Sequence, residues 1–234
     1  MRRFFKRVVA PHIRRMGYRR VCEIGAQRGV NTEQLLTLPD LHVTIVDPCV
    51  DDDLVERYAG NSRVSVCRGR SLEVIPEFTG LFDCVLIDGD HNWYTVFHEL
   101  QELEARGLVA TPGTIFLHDV AWPYAHRDLY YDPETIPEAY RHRWERSGLV
   151  AGQSELDLSG MNADLFHAAH EGGPRNGVWT AVQDFLVEHG DRYRCFRFEQ
   201  EFGLAVLWRG PVRDWRLRWS ATIRNQATRR RGRE

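Results

Sequence analysis

Apolar residues along this chain fall into two alternating rhythms. Short, nearly continuous apolar runs appear at Arg20 to Ile24, Leu41 to Val46, Arg63 to Cys67, Cys84 to Ile87 and Thr114 to Leu117. Runs of that length bounded by turn residues suit strands buried on both faces. Between them the apolar positions recur with helical spacing, at Glu33 to Leu38 and from about Trp93 to Arg106. Strands alternating with helices predict an α/β fold, a parallel sheet covered on both faces. Residues 2–16 mix Phe4, Phe5, Val8, Val9 and Ile13 with arginines, which predicts an amphipathic helix stopped by Gly17. Residues 120–175 break the rhythm: rich in Tyr, His, Pro, Asp and Gly, they keep no long apolar period. A stretch of that length without regular structure reads as a functional lid or a disordered segment, and its aromatics, Trp122, Tyr124 and Tyr140 among them, favour a lid. Regular structure resumes with a helix at Val178 to Glu188 and strands near Arg192 to Phe198 and Gly203 to Trp208.

Polar residues collect where the strands end. The run Phe82 to Ile87 stops at Asp88-Gly89-Asp90-His91, and Thr114 to Leu117 stops at His118-Asp119. In open α/β sheets ligands gather outside the carboxyl ends of strands, so carboxylates and imidazoles there are placed for chemistry. Taken alone, Asp-Gly-Asp is as good a turn as a site. The first strand runs into Glu23-x-Gly25-x-x-x-Gly29, whose glycines permit a sharp turn and a ligand lying against the main chain. Asp47 ends the second strand, where an acid can accept hydrogen bonds from both hydroxyls of an adenosine ribose. Together these favour a nucleoside-type cofactor. The glycine spacing is not GxGxxG and no Tyr-x-x-x-Lys pair is present, which counts against a nicotinamide oxidoreductase.

Composition narrows the class. At 234 residues, 43% hydrophobic and 27% charged, the chain is ordinary globular material. No apolar run approaches the ~18 residues of a membrane span, and charges interrupt the N-terminus before a signal-peptide core can form. A cytoplasmic protein is expected. Five scattered cysteines without a CxxC pair fit free thiols better than disulfides or zinc. The net charge of −2 is unevenly spread: residues 1–20 carry +8 and residues 213–234 carry +6, leaving −16 between them. Basic ends suit nucleic acid or an anionic surface, and equally a solvated helix face and a frayed tail. The expected organisation is a basic amphipathic helix at 1–19, a catalytic domain at 20–212 with an inserted lid at 120–175, and a basic, flexible tail at 213–234.

Glu23 to Gly29, Val43 to Asp47, Gly69-Arg70-Ser71 and Asp88-Gly89-Asp90-His91 together resemble a class I S-adenosylmethionine (SAM) dependent methyltransferase. The likeness is closest to O-methyltransferases of sugars and natural products with a D-x-x-H motif after the fourth strand, many of them magnesium dependent. It implies a Rossmann-like, seven-stranded, mostly parallel sheet with a reversed final hairpin. It implies SAM contacts from Glu23, Gly25, Gln27, Gly29, Asn31 and Thr32, with Asp47 on the ribose, Ser71 near the adenine and Asp88 nearby. It also implies a divalent metal, Mg2+ or Mn2+, on Asp88, His118 and Asp119, and His91 as general base. His118 stands where the family often has an acid, and imidazole suits transition metals better than magnesium.

The expected activity is methylation of a hydroxyl on a small polyhydroxylated molecule. Tyr130, Tyr131, Arg175 and Asn176 are candidate substrate contacts, with the segment Glu171 to Gly177 preceding a helix whose N–H groups could receive an anion. The alternative is an RNA methyltransferase or a SAM-binding module that uses the basic ends. The acidic middle disfavours a nucleic-acid partner, because such proteins show a basic stripe leading to the site. A homo-oligomer stays open, since the N-terminal helix could pack on a second subunit.

Overall fold

The computed structural model describes residues 1–211; the basic segment 213–234 lies outside the described residues. Seven strands form the main sheet: β1 (Arg20–Ile24), β2 (His42–Val46), β3 (Val64–Cys67), β4 (Phe82–Ile87), β5 (Val109–His118), β9 (Tyr193–Phe198) and β10 (Leu204–Arg209), in the order β3-β2-β1-β4-β5-β10-β9. The first five pair in parallel, and β10 runs antiparallel to both β5 and β9. The reversed final hairpin is therefore present. Apolar clusters cover both faces. One holds Cys22, Val85 and Ile115 beneath helices Trp93–Ala105 and Val178–His189; the other holds Val21, Cys84 and Phe116 beneath the N-terminal segment.

That segment is less regular than its pattern predicts. It passes from α (Arg2–Phe4) through a π-helical stretch (Phe5–Val9) to α again (Ala10–Met16). The wider π turn keeps Phe4, Phe5, Val8 and Val9 all buried while Arg2, Arg3, Lys6 and Arg7 stay exposed. Gly17, at φ 67°, ends it in the left-handed conformation that glycine adopts without a side-chain penalty. The segment packs on its own domain.

The inserted region is more ordered than its composition predicts. Short strands β6 (Leu129–Tyr130), β7 (Trp144–Arg146) and β8 (Phe166–Ala168) form an antiparallel sheet in the order β6-β8-β7. Strands of two or three residues have no legible period, so only their tertiary pairing reveals them. A helix at Asp52–Tyr58 also follows β2; Asp51 caps it by accepting from Leu54 N at 2.9 Å. Among the described residues no helix is long and apolar enough to cross a membrane.

Candidate active site

Register brings the polar strand ends together. Ile24 lies opposite both Val46 and Ile87, so the Gly25 loop emerges between Asp47 and Asp88. Ile87 lies opposite Leu117, which sets Asp88 beside His118. The approach of the two central loops is tight: a Cβ on Gly25 would lie 2.3 Å from Gly89 Cα, and Gly25 has φ 86°. No side chain fits there.

At the ends of β1 and β2, Gln27 N donates to Asp47 Oδ2 at 2.6 Å and Cys49 N to Oδ1 at 2.7 Å, fixing the Asp47 carboxylate at the end of β2. Glu23 is buried at the end of β1 and accepts from Thr32 Oγ1 at 2.5 Å and Asn31 Nδ2 at 2.9 Å. Burial lifts its pKa to about 7 against the pull of those two bonds. Asn31 and Thr32 thus hold Glu23 rather than pointing away from the fold. Gly29 (φ 75°) precedes the helix Val30–Leu36, and Ser71 is buried at the start of the helix Ser71–Val74.

On the chemical side, His118 Nδ1 lies 3.0 Å from Asp88 Oδ1 and 2.8 Å from Asp119 Oδ2. His91 Nε2 lies 2.7 Å from the same Asp119 oxygen. Asp119 adopts φ 60°, an unfavourable backbone for a residue with a Cβ, and this turn is what aims its carboxylate back at His91. Burial opposes charge throughout the cluster, yet the ion pairs prevail. Asp119 is held far below the carboxylate range by His91 and His118, and Asp88 is lowered chiefly by its His118 hydrogen bond. His118 is lifted to about 9 by Asp119 and Asp88, and His91 is raised by Asp119. The Met1 amino group also reaches Asp88 Oδ2 at 2.9 Å, and the Phe4 ring packs edge-on against His118 at 5.9 Å.

The donor set fits a cation. Asp88, His118 and Asp119 can each offer one ligand atom, all within 4.8 Å of one another. Two carboxylates and an imidazole suit manganese or another transition metal better than magnesium.

The candidate substrate residues divide. Tyr131 is 53% exposed, and its hydroxyl lies 3.4 Å from His91 Nδ1. Tyr130 is buried, its hydroxyl donating to Asp128 Oδ2 at 2.8 Å. Asn176 is buried too, with its amide bonded to Asp128 N, His170 O and Gly172 O. Arg175 lies over the rings of Trp93 (5.5 Å) and Tyr140 (5.2 Å). The helix start after Gly177 is filled from within the fold: Asp128 Oδ1 accepts from Gly177 N at 2.6 Å and from Trp93 N at 2.7 Å. Arg127 is 1% exposed and donates to Ala168 O at 2.7 Å. Sequence reasoning took Tyr124 for lid packing. Its ring centroid lies 5.2 Å from that of His91, so it borders the cluster, and only the folded insert could show that.

Comparison with known proteins bears on this geometry. The methyltransferase-domain family profile matches residues 22–120, from β1 to just past Asp119. Residues 22–120 are a class I methyltransferase domain. A search of curated protein sequences finds no match to the chain. Among solved structures, the SAH-bound methyltransferase PaMTH1 of Podospora anserina is 12% identical, with TM-score 0.52, over 84% of this chain and 74% of that one. A Staphylococcus aureus protein described as a caffeoyl-CoA O-methyltransferase is 16% identical, with TM-score 0.51, over 87% and 81%. The 1,6-didemethyltoxoflavin-N1-methyltransferase of Burkholderia thailandensis is 14% identical, with TM-score 0.52, over 88% and 78%. These structures share the fold. The methyltransferase-domain match over residues 22–120 carries the enzyme class, and the structures add the fold alone. Because the Burkholderia enzyme is named for a nitrogen acceptor, the fold alone leaves the acceptor atom open.

Proposed function

We propose that the protein is an O-methyltransferase acting on a hydroxyl of a small polyhydroxylated molecule such as a sugar, a glycoside or a natural product. The observation that carries this is the His91–Asp119 pair, 2.7 Å apart at the joined ends of β4 and β5. A hydroxyl is a poor nucleophile until its proton leaves, and a partly exposed imidazole held by a carboxylate is suited to take it. Asp119 accepts from His91 Nε2–H, which leaves the Nδ1 lone pair on the side of the exposed Tyr131 hydroxyl. Nδ1 is thus the basic atom, and the acceptor hydroxyl takes its place beside Tyr131. Methyl transfer is an in-line displacement at carbon, so holding acceptor and methyl in line supplies much of the rate. The Gly25–Gly29 loop with Asp47 places the donor, and Tyr124 and Tyr131 wall the acceptor.

Asp88, His118 and Asp119 are the residues that would hold a divalent ion. Such an ion lowers the pKa of a bound hydroxyl and fixes its direction. With His118 charged, Asp88 and Asp119 are already paired, so cation uptake requires that imidazole to give up its proton.

Calorimetric titration tests this reading. SAM should bind in EDTA and again with Mn2+ present, and Mn2+ should bind separately to the wild type and not to Asp119→Ala. Absence of SAM binding would sink the cofactor assignment. SAM binding without metal binding would remove the ion and leave His91 as the activating group. In turnover assays the rate should rise with pH through a value above the ordinary imidazole pKa of about 6.5, because His91 must be neutral to act. His91→Ala should lose roughly 10²–10⁴-fold in kcat with SAM affinity intact. A wild-type pH profile in His91→Ala takes that residue out of the mechanism.

A further inference from the structure

The cations at the start of the chain line a groove that neither the fold nor the methyl transfer requires. It has a volume of about 800 Å3, between residues 2–7 and the outer face of helix Val30–Leu36, with Glu201 of the β9–β10 turn on its wall. A smaller extension of about 290 Å3 shares Lys6 with it and adds Arg14. Arg2, Arg3, Lys6 and Arg7 are all exposed there. The two acids on the wall are already engaged, Glu33 with Arg57 at 2.7 Å and Glu201 with Arg3. Among the described residues Arg2, Lys6 and Arg7 have no acidic partner.

This arrangement is locally unfavourable. Cations in the first turns of a helix oppose its macrodipole, and no acid offsets them in the first turn. Arg2 and Lys6, like Arg3 and Arg7, stand four residues apart, where like charges repel. An anion in the groove would relieve both. Guanidinium groups pair with carboxylate and phosphate oxygens alike, and the higher charge of a phosphate suits a cluster of four exposed cations. The groove offers no exposed aromatic ring on which bases could stack, as single-stranded nucleic acid would want. Two of its lining residues, Arg2 and Arg3, lie in the chain between Met1 and Phe4, which contact Asp88 and His118.

We propose that this groove is an anion subsite holding the phosphate or diphosphate of a small methyl acceptor whose hydroxyl lies at His91. The inference rests on the acceptor reading given above.

The test is calorimetry on the full chain with inorganic pyrophosphate, UDP-glucose as a diphosphate sugar, glucose, and SAH. Pyrophosphate should bind the wild type and weaken steeply with added salt, because the cations are exposed. The exposed double variant Lys6→Glu/Arg7→Glu should lose about tenfold or more for pyrophosphate and UDP-glucose, and nothing for SAH. UDP-glucose should bind more tightly than either pyrophosphate or glucose, because it spans both sites. Pyrophosphate binding that is absent in the wild type, or unchanged in the variant, overturns the proposal. UDP-glucose binding no tighter than pyrophosphate overturns the link to the acceptor. Binding of an RNA oligonucleotide that the variant abolishes, with no pyrophosphate binding, replaces the subsite with a nucleic-acid surface. Failure of SAH to bind the wild type counts against the cofactor reading alone, since the pyrophosphate result does not depend on it.

Discussion

Glu99 projects from helix Trp93–Ala105 into the core, 1% exposed, with no hydrogen-bond partner for either carboxyl oxygen. Burial lifts its pKa to about 8, against a smaller downward pull from Ser71. The folded protein therefore keeps a proton on Glu99 at pH values where the unfolded chain has released it. Stability falls as pH rises from the ordinary carboxylate value of 4.5 toward 8. Glu23, lifted to about 7, adds in the same direction. Glu99→Gln, which keeps shape and removes the titration, should melt several degrees higher than wild type at pH 8 and converge with it near pH 4.5. Melting curves across that range check it, and a constant difference at all pH values would show that Glu99 is not the group responsible. The acids and imidazoles were legible from the sequence because they follow directly on buried apolar runs, where ligands of open α/β sheets gather. Glu99 was not legible, because a glutamate on a helix looks solvated until its neighbours are known.

At the scale of elements, Asp128 ties the inserted region to the main domain. Its carboxylate accepts from Trp93 N and Gly177 N, the starts of two helices, and from the Tyr130 hydroxyl of β6. Removing it leaves two buried helix-start N–H groups and a hydroxyl without their partner. Asp128→Ala should cost about 3–5 kcal/mol, as loss of a buried charged acceptor does. Limited proteolysis should then cut within residues 120–175 before the sheet core, and uniform resistance across the chain would argue against the linking role. The strands of the main sheet were readable because each is buried on both faces and hydrophobic along its length. The small sheet β6-β8-β7 was not, because its strands are too short to show a period and its stability comes from pairing and the Asp128 bonds. The helix Asp52–Tyr58 carries a readable cap at Asp51 and could have been found from it.

The whole molecule depends on the N-terminal segment as a cover for one face of the sheet. Phe5, Val8, Val9 and Ile13 pack in the cluster that also holds Val21, Cys84, Phe116 and Val206. Ile13 is 2% exposed, so Ile13→Ala should lower stability by about 2–5 kcal/mol in denaturant unfolding. A change under 0.5 kcal/mol would mean that the segment is not docked in solution. An amphipathic pattern shows that a helix will bury one face; it does not say against what. The pattern alone allows this domain or a second subunit, and in the structure the segment packs in this domain's own cluster.

The sequence by itself determined the strand–helix alternation, the class of the sheet and the residues that gather at its carboxyl ends. These are local properties, written in apolar period, glycine placement and residue chemistry. Only the tertiary structure decided which ends meet. The register Ile87 opposite Leu117 joins Asp88 to His118, and the left-handed turn at Asp119 presents one carboxylate oxygen to two imidazoles. It also decided that Tyr130 and Asn176 face inward while Tyr124 and Tyr131 reach His91. Such pairings depend on contacts between residues far apart in the chain, and no periodicity of a single segment encodes them.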